Sequence, residues 1–446
     1  MKILCVSLGC DKNLVDTEMM LGLLNRDGHT FTDDENEADI IVINTCCFIN
    51  DAKEESVNTI LEMAELKKTG KCKALIVTGC MAQRYKQEII DEIPEVDGIL
   101  GTSTYDEISN VLKQALGGEG HVSCFHDLNA LPEVETSRII TTGGHYAFLK
   151  IAEGCDKHCT YCIIPSLRGN YRSVPMERLL KEANELADQG VRELILVAQE
   201  TTLYGVDLYG KKMLPELLHK LAEIPGIYWI RIQYCYPEEI TDELIEAIRT
   251  EEKVCHYLDV PIQHASDRIL KRMGRRTNQA QLREIIGKLR AAVPDIALRT
   301  TMISGFPGET QEDHEEVMRF VDEMEFERLG VFTYSAEEDT PAAAFPDQIP
   351  GEVKEERRDE IMELQQEIAF EKSESMVGRV LDVMIEGKVA DEAAYVGRTY
   401  MDAPNVDGYI FVNSGELFMS GDFVRVKVTG SNDYDLIGEV YDESAE

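Results

Sequence analysis

Three cysteines in the middle of the chain are spaced as ligands of one metal site. Cys155, Cys159 and Cys162 follow a C-x3-C-x2-C spacing directly after the apolar run 148–152, which predicts a β-strand. Thiolates are soft ligands that suit iron, and a tight loop of this kind can hold one iron–sulfur cluster. A four-iron cluster usually takes four thiolates, so three leave one iron open to another ligand. The alternatives are a zinc site, for which a second C-x2-C pair is expected, or three unrelated core thiols.

Three further cysteines, Cys10, Cys46 and Cys80, each come at the end of a short apolar run that predicts a β-strand. Their spacings of 36 and 34 residues each fit one strand followed by one helix. Because parallel strands bring their carboxyl ends to one edge of a sheet, we expect the three thiols to lie close together. They predict a second cluster site, again one ligand short of four. The alternative is that three buried thiols share this position by accident.

The order of predicted elements indicates an α/β protein of several domains. Residues 1–118 alternate strands and helices, which favours a parallel α/β domain. Residues 119–144 are polar and Gly-rich and predict a linker. Residues 145–375 contain six strand–helix repeats, which favour an open (β/α)6 barrel with its functional loops after the strands. Residues 376–442 contain five short strands separated by turns, which predict a small carboxy-terminal β-barrel near the OB type.

The cysteine loop at 154–162, with Tyr161 just before its last cysteine, resembles that of the radical S-adenosylmethionine (radical SAM) family. The resemblance implies that Cys155, Cys159 and Cys162 hold a 4Fe-4S cluster whose open iron binds S-adenosyl-L-methionine (SAM). It also implies that an electron from the cluster splits SAM to give a 5′-deoxyadenosyl radical. Tyr161 is then expected near the adenine.

Other strand ends of the predicted barrel suit the SAM pocket that this resemblance implies. Gln199 and Glu200 follow the second barrel strand, where their polar groups would bind the amino group or the ribose of SAM. Gly305 and Gly308 follow the fifth strand, where glycine allows backbone contact with the adenine, although such a turn alone is most often structural. We expect His264 to be structural. No catalytic residue is expected beyond the clusters, since hydrogen abstraction by a radical needs no acid or base.

The amino-terminal third carries a second resemblance. The segment 9–18 together with the triplets ending at Cys46 and Cys80 is similar to the amino-terminal domain of the methylthiotransferases. The resemblance implies that Cys10, Cys46 and Cys80 hold an auxiliary 4Fe-4S cluster, giving two clusters in all.

Three segments look more like the members that modify small-subunit ribosomal protein S-twelve (uS12) than like the tRNA-modifying members: residues 11–13, Asn170 and residues 197–202. The resemblance therefore implies a transferase that adds a methylthio group to the β-carbon of an aspartate in uS12, with an external electron donor. Two alternatives stay open. One is a tRNA adenosine methylthiotransferase, and the other is a non-catalytic iron–sulfur electron carrier or sensor.

Charge favours a basic protein as the partner. The net charge of the chain is −38, and a strongly acidic surface repels phosphate and attracts basic partners, so nucleic-acid contact is not expected to dominate. Residues 376–446 resemble a TRAM domain, which often binds RNA, yet they hold 5 basic and 14 acidic residues. Because RNA-binding barrels need a positive groove, we interpret this module as capturing a basic protein, with a structural cap as the alternative.

Length and composition set the remaining limits. A chain of 446 residues with 43% hydrophobic and 29% charged residues is typical of a globular protein of two to four domains. It has no apolar run long enough to span a membrane, and its short apolar start predicts a strand rather than a signal peptide. We therefore expect a cytoplasmic protein, in which the six cysteines outside the two groups are ordinary thiols. These six are Cys5, Cys47, Cys72, Cys124, Cys235 and Cys255; Cys47 stands apart because it adjoins Cys46.

Overall fold

A computed structural model describes residues 1–118, 120–132, 134 and 138–441. Residues 119, 133 and 135–137 of the predicted linker, and residue 442 of the predicted β-barrel, lie outside the described residues. The chain forms a parallel α/β domain, an open β/α barrel and a closed β-barrel in that order, which confirms the predicted fold class.

The first sheet has six parallel strands in the order β2–β1–β3–β4–β5–β6. Its strands are β1 (Lys2–Ser7), β2 (Thr30–Phe31), β3 (Ile40–Thr45), β4 (Ala74–Gly79), β5 (Gly98–Leu100) and β6 (Val122–Cys124). Its helices are α1 (Asp11–Arg26), α2 (Asn50–Thr69), α3 (Cys80–Tyr85), α4 (Gln87–Glu92) and α5 (Ile108–Leu116). β3 and β4 are buried along their whole length, which explains why each begins with four apolar residues in a row.

Two details of this domain differ from the sequence expectations. Strand β6 pairs with β5 and extends the first sheet to Cys124, so the predicted end of the domain at residue 118 leaves out its last strand. The apolar pattern at 83–93 predicts one helix, but the structure has two, α3 and α4. They are separated at Lys86, whose φ of 46° is incompatible with a continuous right-handed helix.

The barrel has six parallel strands in the order β7–β10–β11–β12–β13–β14 and is open, as predicted. These strands are β7 (Tyr146–Lys150), β10 (Glu193–Val197), β11 (Trp229–Ile232), β12 (Val254–Asp259), β13 (Ala297–Ser304) and β14 (Arg328–Thr333). A short antiparallel pair, β8 (Ala152–Glu153) and β9 (Arg172–Ser173), brackets the cysteine loop. Helix α1 packs along the edge strand β7, and a long carboxy-terminal helix packs along the other edge strand, β14.

The barrel helices cover the outer face of these strands and bury a continuous apolar core. They are α6 (Ile164–Arg168), α7 (Met176–Asp188), α8 (Val206–Tyr209), α9 (Leu214–Ala222), α10 (Asp242–Thr250), α11 (Asp267–Arg272), α12 (Gln279–Ala292), α13 (Gln311–Met324) and α14 (Gly351–Ser375). None of the helices among the described residues is both long enough and apolar enough to cross a membrane.

The carboxy-terminal barrel is closed, with strand order β15–β16–β17–β19–β18. Its strands are β15 (Val380–Lys388), β16 (Ala394–Arg398), β17 (Ile410–Asn413), β18 (Phe423–Asn432) and β19 (Asp435–Val440). It packs against the amino-terminal ends of the β/α barrel strands, where Trp229, Tyr257 and Ala297 share its apolar core.

The loop between β16 and β17 closes this amino-terminal end of the β/α barrel. Asp407 accepts a hydrogen bond from the Tyr257 hydroxyl at 2.9 Å and pairs with Arg299 at 3.4 Å. Asn405 donates to the hydroxyl of Tyr146 at 3.2 Å. The opposite, carboxyl end of the barrel is therefore the end that faces the amino-terminal domain.

Candidate functional site

Cys10, Cys46 and Cys80, here called the amino-terminal cysteine trio, follow three adjacent strands of the first sheet. The sheet places β1 beside β3 and β3 beside β4, all parallel. Cys10 is the N-cap residue of α1, Cys46 follows the end of β3, and Cys80 begins α3 directly after β4. All three therefore lie at one carboxyl edge, as the register predicts.

The backbone around this trio is packed too closely for any side chain at Gly9. A Cβ atom placed on Gly9 would lie 2.5 Å from Cys46 Cβ and 2.8 Å from Cys46 Sγ, and the φ of Gly9 is +87°. Gly79 is equally confined, because its Cβ would lie 2.3 Å from Asn44 Oδ1 at a φ of +92°. The two glycines let the loops after β1 and β4 approach the loop that carries Cys46.

The three thiols are close enough to influence one another. Burial raises the pKa of the Cys46 thiol to about 12, and the neighbouring Cys80 and Cys10 add to the shift. Burial likewise raises the pKa of Cys80, with Cys10 again contributing. Buried thiols such as Cys46 and Cys80, which are costly to ionise alone, suit a bound metal cluster, because the cluster supplies the positive charge that thiolates require.

Polar side chains hold the loops of the trio in place. The Asn13 amide donates to the carbonyls of Leu8 at 2.9 Å and Thr45 at 3.0 Å, and so joins the loops of Cys10 and Cys46. The Ser56 hydroxyl accepts from the Cys46 amide at 3.1 Å and donates to the Cys46 carbonyl at 2.8 Å. These contacts fix the loops without using the cysteine sulfurs.

Cys155, Cys159 and Cys162, here called the loop cysteine trio, lie on a loop after β7 and β8, at the carboxyl end of the barrel. The Cys155 amide donates to the Gly169 carbonyl at 3.1 Å, and the Cys162 amide donates to the Cys159 carbonyl at 3.0 Å. Burial raises the pKa of Cys155 to about 11 and that of Cys162 to about 12, with Cys159 contributing to both shifts.

Two side chains that the spacing of cysteines did not reveal support Cys159. The Tyr236 hydroxyl lies 3.8 Å from Cys159 Sγ, and Arg275 Nη1 donates to the same sulfur at 4.0 Å. The Arg275 guanidinium also stacks on the Tyr236 ring, with 4.3 Å to its centroid. Hydrogen-bond donors and positive charge beside a ligating sulfur are typical of the surroundings of an iron–sulfur cluster. In the sequence, Tyr236 could be found from its position four residues after a barrel strand, whereas no feature of the sequence points to Arg275.

The predicted SAM-binding pair Gln199 and Glu200 lies after β10 and has unsatisfied acceptors. Neither Gln199 Oε1 nor Glu200 Oε2 has a hydrogen-bond partner, although both are buried. Burial raises the pKa of Glu200 to about 7, and its nearest cation is Lys157 Nζ at 4.0 Å. Buried acceptors without donors are costly, so both residues fit a ligand that brings a donor such as an amino group.

The turn after β13 meets the cysteine loop through its aromatic residue. Tyr161 packs edge-on against Phe306, with 6.4 Å between ring centroids. The Gly305 amide donates to Glu309 Oε2 at 2.8 Å, and the Gly308 amide donates to the Asp347 carbonyl at 2.8 Å. Both glycine amides thus already have protein acceptors, and contact between these glycines and adenine stays a prediction that would use other backbone atoms.

His264 is held as expected of a structural residue. It is buried, its Nδ1 accepts from the Ser266 amide at 2.9 Å, and its Nε2 lies 3.4 Å from Glu309.

A buried ionic network joins the surroundings of the two trios. Arg168, in α6 shortly after Cys162, pairs with Asp16 of α1 at 2.8 Å and with Glu153 at 3.2 Å, and it donates to the Asn13 side chain. Lys150 pairs with the same two carboxylates. The Arg168 guanidinium also lies beside Cys80 and lowers the pKa of that thiol against the larger effect of burial. Cys80 of the amino-terminal trio therefore lies beside α6, the helix that follows the loop trio.

The donors of both trios are thiols, which suit iron–sulfur clusters. Among the described residues, no three His, Cys, Asp or Glu side chains are arranged to hold one metal ion. The thiolates of a cluster bind different irons and need not converge on one point. All twelve cysteines are free of disulfide bonds, so both trios are available as ligands.

Comparison with known proteins covers the whole chain. Family profiles match the uncharacterized protein family UPF0004 over residues 2–101, the Radical SAM superfamily over residues 149–321, and the TRAM domain over residues 377–440. A curated protein of Lachnoclostridium phytofermentans named ribosomal protein uS12 methylthiotransferase RimO is 67% identical over 98% of this chain and 99% of its own length. A protein of the same name from Acetivibrio thermocellus is 52% identical over 100% and 99%.

A solved structure shows a likeness of fold. The radical S-adenosylmethionine methyltransferase TsrM from Kitasatospora setae superposes with a TM-score of 0.56 at 13% identity, over 76% of each chain.

Proposed function

The chain belongs to the RimO family of radical SAM methylthiotransferases, and we propose that it adds a methylthio group to the β-carbon of an aspartate in ribosomal protein uS12. The observation that carries this proposal is the similarity to named uS12 methylthiotransferases over essentially the full chain. The three matched domains occur in the order that the proposal requires.

Membership of the radical SAM family implies one 4Fe-4S cluster and SAM. We propose that the loop cysteine trio, Cys155, Cys159 and Cys162, holds this cluster, and that the amino-terminal trio holds a second one. When bound, the two clusters and SAM supply the radical that activates the target carbon and the sulfur that is delivered to it. An external electron donor and a cytoplasmic location belong to the same proposal.

The protein's own residues position and shield these groups. Gly9 and Gly79 bring the three loops of the amino-terminal trio together, and Asn13 ties two of those loops to each other. Arg275 and Tyr236 offer donors to the sulfur of Cys159. Gln199 and Glu200 present free acceptors to the SAM amino group.

The Arg168 network orients the two domains. Its members Arg168, Asp16, Glu153 and Lys150 are each less than a tenth exposed, so water is excluded from this network between the two domains. In such a site the ion pairs are strong and directional, and they hold α1 against the cysteine loop. Transfer of a group from one site to a substrate held at the other site requires a fixed distance between the two sites.

A deletion strain tests the substrate. Mass spectrometry of uS12 and of tRNA nucleosides is compared between wild type, the deletion strain and the strain complemented with this gene. We expect uS12 to lose one methylthio group on deletion and to regain it on complementation, while tRNA keeps its own. If tRNA loses methylthio groups and uS12 keeps its group, the chain is a tRNA adenosine methylthiotransferase.

A second experiment separates an enzyme from an electron carrier. The reconstituted, reduced protein is mixed with SAM, and 5′-deoxyadenosine is measured by chromatography. We expect its formation, and expect it to vanish in Cys159→Ala. No 5′-deoxyadenosine from the wild-type protein with full iron content would favour a carrier or sensor.

A further inference from the structure

Lys12 is a buried cation beside the amino-terminal cysteine trio. It is the second residue of α1, two positions after Cys10, and its side chain is 6% exposed. Its ammonium nitrogen lies 3.3 Å from the centroid of the Tyr234 ring. Tyr234 follows β11 at the carboxyl end of the barrel and donates from its hydroxyl to Asp11 at 3.3 Å. Lys12 therefore lies where the amino-terminal domain meets the functional end of the barrel.

The positive charge of Lys12 has no ion-pair partner among the described residues. Its electrostatic neighbours are Tyr234, Cys10 and Asp11, and it also acts on Asp259, but no carboxylate oxygen is within ion-pair distance of its nitrogen. A buried charge that meets an aromatic ring and has no carboxylate within ion-pair distance is a costly arrangement.

Three other buried cations around the two trios are paired with carboxylates, and a fourth, Arg275, donates to the Cys159 sulfur and to the Pro261 carbonyl. Lys150 pairs with Asp16 and Glu153, Arg168 shares the same two carboxylates, and Lys157 pairs with acidic residues of the loop after β11. Lys12 differs from all four because its ammonium group meets the Tyr234 ring and has no carboxylate, carbonyl or thiol acceptor among the described residues.

An aspartate side chain is the kind of group that this charge suits. Its carboxylate is one bond from the β-carbon, so a cleft that takes up this carbon must also take up a negative charge. Burying that charge without a partner is unfavourable. An ammonium group in a water-poor site offsets this cost and fixes the orientation of the carboxylate.

We propose that Lys12 is a specificity-determining residue that binds the carboxylate of the substrate aspartate through its ammonium group. The inference rests on the proposed function, since it presupposes an aspartate as substrate. It assigns to this chain a reason for choosing an aspartate over its uncharged isostere, asparagine.

The test measures binding rather than turnover. Reconstituted holoenzyme without reductant is titrated into fluorescently labelled uS12, and into uS12 in which the modified aspartate is replaced by asparagine. The variants are Lys12→Met, which keeps most of the stem and removes the charge, Lys12→Gln as a second neutral replacement, and Lys12→Arg. The control is Lys86→Met, which removes a lysine that also lies over an aromatic ring, that of Phe125, at 5.5 Å. Iron and sulfide contents are measured first for every variant.

We expect wild type and Lys86→Met to bind the aspartate form about 10- to 100-fold more tightly than the asparagine form, the range of a charge-assisted hydrogen bond. In Lys12→Met and Lys12→Gln the two forms should bind alike, and Lys12→Arg should recover part of the preference. The proposal is overturned if a neutral variant with full iron content keeps the preference, or if wild type binds uS12 without any preference. Absence of both binding and modification of uS12 by wild type would instead refute the proposed function.

Discussion

Replacing Gly9 by alanine should remove the amino-terminal cluster and leave the loop cluster in place. The added Cβ would lie 2.8 Å from Cys46 Sγ and 2.5 Å from Cys46 Cβ. Ordinary carbon–carbon contacts are about 3.5–4.0 Å, so the loops of Cys10 and Cys46 must separate by about 1 Å. Because the clash is with the ligand residue itself and its backbone is held by Ser56, it cannot be relieved by a flexible side chain.

Conformational strain adds to this displacement. An alanine at the φ of Gly9, +87°, costs about 1–3 kcal/mol in the backbone alone. Ligand sets must hold their geometry closely to bind metal, and an error of about 1 Å is enough to lose it. We therefore expect Gly9→Ala to contain about half of the iron of the reconstituted wild-type protein, since one of two four-iron clusters is lost.

Gly28→Ala is the matched control. Gly28 lies in the same domain with a φ of +84°, but its added Cβ would meet nothing within 4 Å. It carries the strain without the clash, so it should keep full iron and sulfide contents. Iron and sulfide are measured after anaerobic reconstitution, and reductive cleavage of SAM reports on the loop cluster, which should survive in both variants. If Gly9→Ala keeps full iron and methylthiolates uS12 as wild type does, the close approach of Gly9 to Cys46 is not what assembles the site.

Three further predictions concern the buried charges. Glu193→Gln leaves Arg231 and Arg398 without the carboxylate that binds them at 2.7 and 2.6 Å. The free energy of unfolding in urea should therefore fall by about 3–5 kcal/mol, and a fall of less than about 1 kcal/mol would contradict this. Burial raises the pKa of Glu193, but the two arginines outweigh burial and hold it below its usual range. The stabilisation of the fold by ionised Glu193 is therefore complete above about pH 4.3 and is lost as the pH falls through the folded-state pKa. Glu193→Gln should accordingly flatten the pH dependence of the free energy of unfolding below about pH 4. Arg168→Met leaves Asp16 paired with Lys150 alone. Amide hydrogen exchange in α1 should therefore increase, while exchange in the carboxy-terminal barrel stays as in wild type. Unchanged exchange in α1 would refute a role of Arg168 in docking the domains.

Much of the site could be predicted because the topology makes it local. A strand, a cysteine and a helix repeat three times in the first domain, and parallel pairing brings the same point of each repeat to one edge. The start of α12 (Gln279–Ala292) is local in the same way, because Asn278 and Gln281 form a capping box there.

Contacts between domains could not be predicted, because no local pattern encodes them. The pairing of Arg168 with Asp16 joins residues 152 positions apart, and each residue alone resembles an ordinary surface charge. Arg275 reaches Cys159 across 116 positions. Strand β6 was missed because three residues inside a polar, Gly-rich segment give too short a signal, and they form a strand because β5 offers an unpaired edge.

The carboxy-terminal barrel has a place in the molecule that limits how it could capture a basic protein. It closes the amino-terminal end of the β/α barrel, while both cysteine trios lie towards the carboxyl end, about 15–25 Å away, since the barrel strands have four to eight residues. Its acidic residues divide accordingly. Asp402 and Asp407 are buried against Arg328 and Arg299 and act as part of the cap. Other acidic residues face solvent, among them Asp382, Glu392, Glu416 and Asp422. A substrate held by the exposed acidic residues would have to reach the trios with an extended segment of about five to eight residues. Capture of a basic protein and capping of the barrel are therefore compatible roles of different side chains, and the first requires a substrate whose target aspartate lies on a protruding loop.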